Sequence, residues 1–296
     1  MEMIIEHCTL CPRSCGTRRD PESGSGFCRA GTLPRIAAAQ PHFWEEPCLS
    51  GTRGSGAIFF SGCTLSCVYC QNTPISREGV GKTISVEALS EKIRQLEAMG
   101  VHNINFVSPT PYVDAIIEAL RLYRPAIPVV YNTSGYETPE TLRRLEGLVD
   151  IYLPDLKYIR SDLSRKYSGA ADYAQRAIPA IEEMVRQTGA PRLREDGLME
   201  KGTIIRHLIL PQNTRNSLEV LKVIKERFDR NVLVSLMGQY LPCGQASLFP
   251  ELSRRITKRE YEKVLFALYD LSLDGYAQEL SSAKKEYIPD FDPSAL

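Results

Sequence analysis

Gly62-Cys63-Thr64-Leu65-Ser66-Cys67-Val68-Tyr69-Cys70-Gln71-Asn72 decides how the rest of this chain is read. Three cysteines stand at spacing C-x3-C-x2-C within eleven residues. The short apolar, aromatic run Ala57-Ile58-Phe59-Phe60 precedes them and is bounded by glycines, which predicts a buried strand. The cysteines then leave the strand end on a loop. A loop can wrap a compact cluster; a strand cannot, because its alternate side chains point to opposite faces. Three thiolates so spaced suit an iron–sulfur cube. A [4Fe–4S] cluster ordinarily takes four cysteines, so three would leave one iron open for chemistry. The bland alternatives are three reduced cysteines in a loop or a partial zinc site, although zinc prefers C-x2-C pairs.

A second set, Cys8, Cys11, Cys15 and Cys28, lies in residues 1–34, a segment rich in Gly, Ser and Pro. With so little apolar content it cannot build a hydrophobic core, and a four-thiolate metal site would hold it together. Zinc in a closed tetrahedral site and an auxiliary iron–sulfur cluster are both open. The expected division is this metal-binding segment, 1–34, and a partial-barrel domain with a C-terminal extension, 35–296.

Downstream of the loop, helical and extended patterns alternate. Helices are expected near 86–99, 112–123, 138–148, 161–188 (broken at Pro179), 218–228 and 258–271. Strands two to six are expected near 103–107, 127–131, 149–153, 202–210 and 231–237. The tail should wind down through Pro289 and Pro293. Six strand–helix units predict an α/β fold with a parallel sheet, a partial (βα)6 TIM-type barrel with its chemistry at the C-terminal strand ends. Residues 35–56 read as a covering segment leading into the first strand. Its Trp44 is the chain's one tryptophan. Glu45 and Glu46 beside it either pack or face the site.

The expected strand ends are polar: Ser108-Pro109-Thr110, Asn132-Thr133-Ser134, Asp155-Leu156-Lys157, and Gln239-Tyr240-Leu241-Pro242-Cys243 after strand six. Arg206 and His207 are neighbours on strand five, so at most one faces the barrel interior. Gly79-Val80-Gly81-Lys82-Thr83 mimics the end of a phosphate-binding loop. The pattern needs glycine where Ser76 stands and a strand where the cysteine loop stands. It is read as the lead-in to a helix capped by Ser85. Cys48 is expected to be a buried structural thiol. Cys243 either packs, or serves as a hydrogen donor or metal ligand at the mouth.

Composition sets bounds. The 296 residues are 43% hydrophobic and 24% charged, and 36 basic side chains balance 36 acidic ones. That is ordinary for a soluble globular protein and argues against nucleic acid as the main partner. No apolar run approaches the roughly 18–20 residues of a membrane span. The N-terminus does not read as a signal peptide. Nine cysteines then suggest a reducing, cytoplasmic setting in which clustered thiols mean metal.

The cysteine triad, with Tyr69 at its aromatic position, resembles the radical SAM signature. Cys11-Pro12-Arg13-Ser14-Cys15-Gly16, His42-Phe43-Trp44-Glu45-Glu46-Pro47, Asn132-Thr133-Ser134-Gly135-Tyr136, Asp155-Leu156-Lys157-Tyr158 and Met237-Gly238-Gln239-Tyr240 are more narrowly similar to homologues of the pyruvate formate-lyase activating enzyme. The resemblance implies that Cys63, Cys67 and Cys70 bind a [4Fe–4S] cluster whose open iron chelates S-adenosylmethionine. Reductive cleavage of the sulfonium then gives a 5′-deoxyadenosyl radical that abstracts hydrogen. It implies Tyr69 against the adenine, Asp155 and Lys157 on the cofactor's amino acid end, and Arg206 as a candidate for its carboxylate or ribose; a surface ion pair is the plain alternative for Asp155 and Lys157. Activases hold the cofactor's amino group with Gly-Gly-Glu after strand two. This chain has Ser108-Pro109-Thr110 there, so hydroxyls and carbonyls would hold it, with Asn132 and Ser134 as further contacts. Catalytic candidates are Cys243 and Arg206. The resemblance also implies a flavodoxin- or ferredoxin-type electron donor, and a protein substrate such as a glycine of a glycyl radical enzyme. Modification of a peptide or small metabolite is the alternative. A non-catalytic iron–sulfur redox or sensor protein is the reading from a different class.

Overall fold

The computed structural model describes residues 4–278 together with Leu280 and Phe291; the tail through Pro289 and Pro293 lies outside the described residues. The strands are β1 (Arg35–His42), β2 (Ser55–Phe60), β3 (Lys82–Thr83), β4 (Ile104–Val107), β5 (Val129–Thr133), β6 (Ile151–Pro154), β7 (Arg192–Leu193), β8 (Met199–Leu208), β9 (Leu233–Met237) and β10 (Gly275–Ala277). The α-helices are α1 (Pro47–Ser50), α2 (Thr73–Ser76), α3 (Val86–Ala98), α4 (Val113–Leu122), α5 (Pro139–Arg143), α6 (Ser161–Ser168), α7 (Tyr173–Thr188), α8 (Thr214–Arg227) and α9 (Lys258–Asp270).

The strands lie in the order β10-β9-β8-β6-β5-β4-β2-β1-β3, with β7 paired to β8. From β10 through β2 every neighbouring pair is parallel. This is the expected partial barrel, extended by three features. Residues 35–42 form β1, antiparallel to β2, rather than a covering segment only. Residues 82–83 form β3, antiparallel to β1, which accounts for the phosphate-loop mimic as sheet edge. The short β10 adds a parallel strand beyond the expected six.

Strand alternation sorts the core into two faces. Ile58, Phe60, Ile104, Phe106, Val129, Tyr131, Tyr152, Ile205, Val234 and Leu236 join the large cluster under the helices. Their neighbours Val130, Ile151, Leu153 and Ile204 pack instead with Cys48 and Leu49 of α1. The chain after β1 therefore folds back as a plug under the parallel strands. Asn103 fixes it, donating to the Leu49 carbonyl at 2.8 Å. Cys48 is the buried structural thiol expected, and burial pushes it up to about 11.

Ser85 caps α3 by accepting from the Ala88 N–H at 3.1 Å. The expected helical region 161–188 does break, but at Gly169 in the left-handed conformation rather than at Pro179. Pro179 and Gln175, whose carbonyl it frees, are both exposed. The opposite face of α7 buries Tyr173, Ala177, Ala180, Ile181 and Met184, and that burial carries the helix through the proline. α5 stops at Arg143, shorter than the expected 138–148, and 144–148 continue as turns.

The N-terminal cysteine segment has no helix among its described residues and is pinned by side chains instead. Arg19 is only 2% exposed; it donates to the carbonyls of Ala30 (3.0 Å), Gly31 and Pro111 (2.6 Å). Arg13 donates to Thr64 O at 2.9 Å and Gly169 O at 2.7 Å, and its guanidinium stacks 3.8 Å over the Phe27 ring. These bonds lay the segment against the cysteine loop. At Gly62, φ is +92° and a Cβ would stand 2.9 Å from Cys28 O, so only glycine admits that approach.

Candidate active site

The C-terminal strand ends surround a cavity of about 270 Å³. Cys63, Cys67 and Cys70 all line it, as do Tyr69, Ser108, Asn132, Ser134, Asp155, Lys157 and Arg206. The structure thus brings together the three loop cysteines and seven other cofactor or catalytic candidates named from sequence, Tyr69 among them. Thr110 is not among the lining residues; its hydroxyl donates to Glu137, away from the cavity. Cys243 is also not in the lining, although its loop packs on the cysteine loop through the Gln245 N–H to Val68 O bond of 2.7 Å.

The cysteine loop is held by a buried chain of hydroxyls. Tyr69 Oη meets Tyr158 Oη at 2.5 Å, Tyr158 Oη meets Ser168 Oγ at 2.9 Å, and Ser168 Oγ meets Cys67 Sγ at 3.0 Å. The Cys63 thiol is pushed up to about 12 by burial, and the neighbouring Cys67 adds to this. Metal binding here would therefore release protons.

Asp155 and Lys157 form an ion pair inside the cavity, not on the surface, with side chains 21% and 16% exposed. Burial alone would lower the lysine, but the Asp155 carboxylate overrides it and holds Lys157 above its ordinary value. Tyr173 fixes this turn: its hydroxyl lies 2.7 Å from Ser134 O and 2.8 Å from Asp155 O and accepts from the Lys157 N–H at 3.1 Å. Gly135 at φ +78° lets the two strand ends close, since a Cβ there would meet Asp155 O at 2.2 Å. Of the Arg206/His207 pair, Arg206 lines the cavity. His207 is wholly buried behind it with Nδ1 2.8 Å from Leu156 O, and desolvation drops it to about 4.

Two acidic residues matter more than the sequence indicated. Glu45 lines the cavity, and Glu46 lies buried at 5% exposure next to it. Arg206 donates to Glu46 through Nε (2.7 Å) and Nη2 (2.6 Å), and Nη2 also reaches Glu45. Asn105 donates to Glu45 Oε1 at 2.8 Å and Asn132 to the same oxygen at 3.4 Å. Between the plug and the cavity the floor is thus a carboxylate–guanidinium–carboxylate triad, and Arg206 already has partners. The signal was the Glu-Glu pair just before the proline of α1, but its direction depends on the plug, which no local pattern reveals.

Glu137 was not singled out at all. It is wholly buried, its Oε1 receives the hydroxyls of Thr110, Thr133 and Tyr131, and burial pushes its carboxyl up to about 7.

Among the described residues no group of three or more His, Cys, Asp or Glu side chains converges to hold a single metal ion. A cubic cluster offers an iron at each of several corners, so its thiolates need not converge, and three loop thiols on one cavity wall fit it. In the N-terminal set, Cys8 is buried within 3.7 Å of Arg19 Nη1 and Cys15 is exposed beside Thr17 Oγ1 at 3.3 Å. No helix of the described residues is long and apolar enough to cross a membrane.

A sequence model of the radical SAM superfamily matches residues 57–189. An uncharacterized protein of Methanocaldococcus jannaschii is 30% identical over 280 residues, covering 92% of this chain and 77% of that protein. Streptococcus suis SuiB bound to S-adenosylmethionine superposes with a TM-score of 0.51 at 16% identity, covering 76% of this chain and 50% of that one. The FeFe-hydrogenase maturase HydG of Carboxydothermus hydrogenoformans gives 0.51 at 15% identity, covering 80% and 57%. The chain spans about half the length of these solved proteins, and the likeness to them is one of fold.

Proposed function

The chain belongs to the radical SAM superfamily, whose members are enzymes, and from that premise we propose that it cleaves S-adenosylmethionine reductively and abstracts hydrogen from a protein substrate. The observation that carries this reading is the convergence of Cys63, Cys67, Cys70, Asp155 and Lys157 on one cavity at the C-terminal strand ends. A [4Fe–4S] cluster on the three thiolates would supply the electron and the open coordination site that this chemistry needs.

The chain's own residues bind and orient. Asp155 and Lys157 offer one carboxylate and one ammonium, the complement of an amino acid zwitterion, and Tyr173 holds both at fixed spacing. Tyr69 presents an aromatic wall whose hydroxyl is already satisfied by Tyr158, so the ring and not the phenol is offered to an adenine. Ser108, Asn132 and Ser134 add polar groups around the same volume. The plug of Cys48 and Leu49 packs against Val130, Ile151, Leu153 and Ile204, an apolar fill that would exclude bulk water from that part of the barrel.

The protein-substrate reading, narrowed to a glycine of a glycyl radical enzyme, rests on the activase-like stretches and on Phe43 and Trp44. These stand 52% and 54% exposed, Trp44 in the cavity wall, and offer apolar contact to a chain entering the mouth. The solved SuiB complex contains its precursor peptide, which supports macromolecular entry to this kind of fold. A flavodoxin- or ferredoxin-type donor, a cytoplasmic setting, and a zinc ion or second cluster on Cys8, Cys11, Cys15 and Cys28 complete the proposal, with residues 1–34 as its own metal-binding unit. The test is deuterium transfer: the reconstituted enzyme is mixed with a candidate protein carrying deuterated glycine. Deuterium appearing in 5′-deoxyadenosine supports the reading. Cleavage with none from any protein in a deuterated extract, but with some from its small-molecule fraction, overturns the protein substrate.

A further inference from the structure

The cavity floor carries a charge imbalance that none of the roles above uses. Among the described residues Arg206 and Lys157 supply two positive charges, and Glu45, Glu46 and Asp155 supply three negative ones. Asp155 and Lys157 neutralise each other, so the surplus belongs to the triad, where two carboxylates share one guanidinium. Of that pair only Glu45 lines the cavity. His42, also in the lining, is lowered by desolvation and does not make up the deficit.

The hydrogen bonds repeat the imbalance. A carboxylate offers about four acceptor positions. Among the described residues Glu45 Oε1 receives Asn105 and Asn132, while Oε2 receives only Arg206. Asn105 is an independent witness. It is wholly buried behind the cavity lining, donates its amide N–H to Glu45, and its own Oδ1 has no donor among the described residues. On Glu45 a free acceptor position and a share of the net negative charge thus meet at the cavity wall, the complement of a cation with several N–H groups, and the orphaned oxygen belongs to the very residue that donates to it.

We infer that the floor formed by Glu45, Glu46, Arg206 and Asn105 is a specificity site for a substrate that presents an ammonium or guanidinium group, and that Glu45 is the residue that reads it. This deepens the proposed function and rests on it. For a protein substrate, the reacting residue carries or adjoins a lysine or arginine. A substrate bearing carboxylate or phosphate at that depth meets an uncompensated negative charge and is rejected.

The cofactor also has an ammonium, and the test separates the two sources. Reconstituted full-length enzyme saturated with S-adenosylmethionine is titrated calorimetrically with Nα-acetyl-lysine amide, with the neutral isostere Nα-acetyl-norleucine amide and with Nα-acetyl-glutamate amide. Trp44, the chain's one tryptophan and part of the cavity wall, reports the same binding optically. The lysine probe should bind at least ~10-fold more tightly than the norleucine probe, the glutamate probe more weakly still, and Glu45→Gln should remove the preference. Equal binding of the first two probes, or a preference unchanged in Glu45→Gln, overturns the inference. So does loss of lysine-probe binding only when the cofactor is added, which assigns Glu45 to the cofactor's amino group. If Glu45→Gln does not fold, the order of the probes on the unaltered enzyme decides. 5′-Deoxyadenosine is measured in the same samples. Charge preference without cleavage refutes the proposed reaction alone, and cleavage without preference refutes this inference alone.

Discussion

Arg206→Met removes the single cation of the floor triad and leaves two carboxylates facing each other. The Arg206, Glu45 and Glu46 side chains are only 14%, 6% and 3% exposed, so water does little to screen the loss. Breaking a buried pair in this way costs about 3–5 kcal/mol, against about 0–1 kcal/mol for an exposed pair. The pH dependence gives a second handle. Burial pushes the Glu46 carboxyl up, but Arg206 overrides it and holds Glu46 below the usual range. In the unaltered protein this stabilisation is present above the unfolded-state value and is lost as pH falls through the lower folded value. Without Arg206 the direction reverses: burial raises the folded value, and protonation relieves the penalty as pH falls. Urea unfolding followed by Trp44 emission should therefore show a large loss near pH 8 that shrinks toward pH 5. A loss under about 1 kcal/mol, or one that does not change with pH, would refute the buried-triad reasoning.

Three further outcomes are expected. Glu137, pushed up to about 7 by burial, makes the fold more stable when protonated; its contribution is full below the unfolded value and is lost as pH rises through 7, roughly 3 kcal/mol in all. Glu137→Gln should flatten that part of a stability-against-pH curve, and an unchanged slope would contradict the assignment. Pro179→Ala restores an N–H to the exposed face of α7 and should raise stability by about 1–3 kcal/mol in thermal or urea melts; a decrease would mean that the ring packs favourably where α7 turns outward. Arg13→Ala removes two hydrogen bonds and the stacking on Phe27, so limited proteolysis should cut faster within residues 4–34 while the barrel melts as before. Equal cleavage rates would show that Arg19 alone pins the segment.

The barrel was legible because its signals are local. Apolar strand runs, helix faces at 3.6-residue spacing and the Ser85 cap each announce themselves within a few residues. The cysteine triad and the Asp155-Leu156-Lys157 turn were legible for the same reason, and both line the cavity. What the sequence hid depends on distant pairing. β1 reads as a covering segment because an antiparallel edge strand is defined by its partner, here β2. Glu45 and Glu46 become a cavity floor only because α1 turns into the barrel, and Arg206 meets them 160 and 161 residues away. Thr110 read as a cofactor contact from its place after β4, but Glu137, from the far side of β5, takes its hydroxyl. The cysteine-rich segment was expected to need metal for want of a core. Arg19 supplies part of that cohesion through backbone carbonyls, a role that no residue pattern announces.

The central claim is that Cys63, Cys67 and Cys70 make this chain a catalyst of S-adenosylmethionine cleavage. The most direct measurement is anaerobic reconstitution with iron and sulfide, chemical reduction, addition of S-adenosylmethionine, and detection of 5′-deoxyadenosine by mass, with iron and zinc counted per chain. The account predicts 5′-deoxyadenosine from the unaltered protein and none from Cys67→Ala, which should also lose the iron of that site. A fully loaded, reduced cluster that yields no 5′-deoxyadenosine would contradict it and leave a non-catalytic redox or sensor protein as the better account.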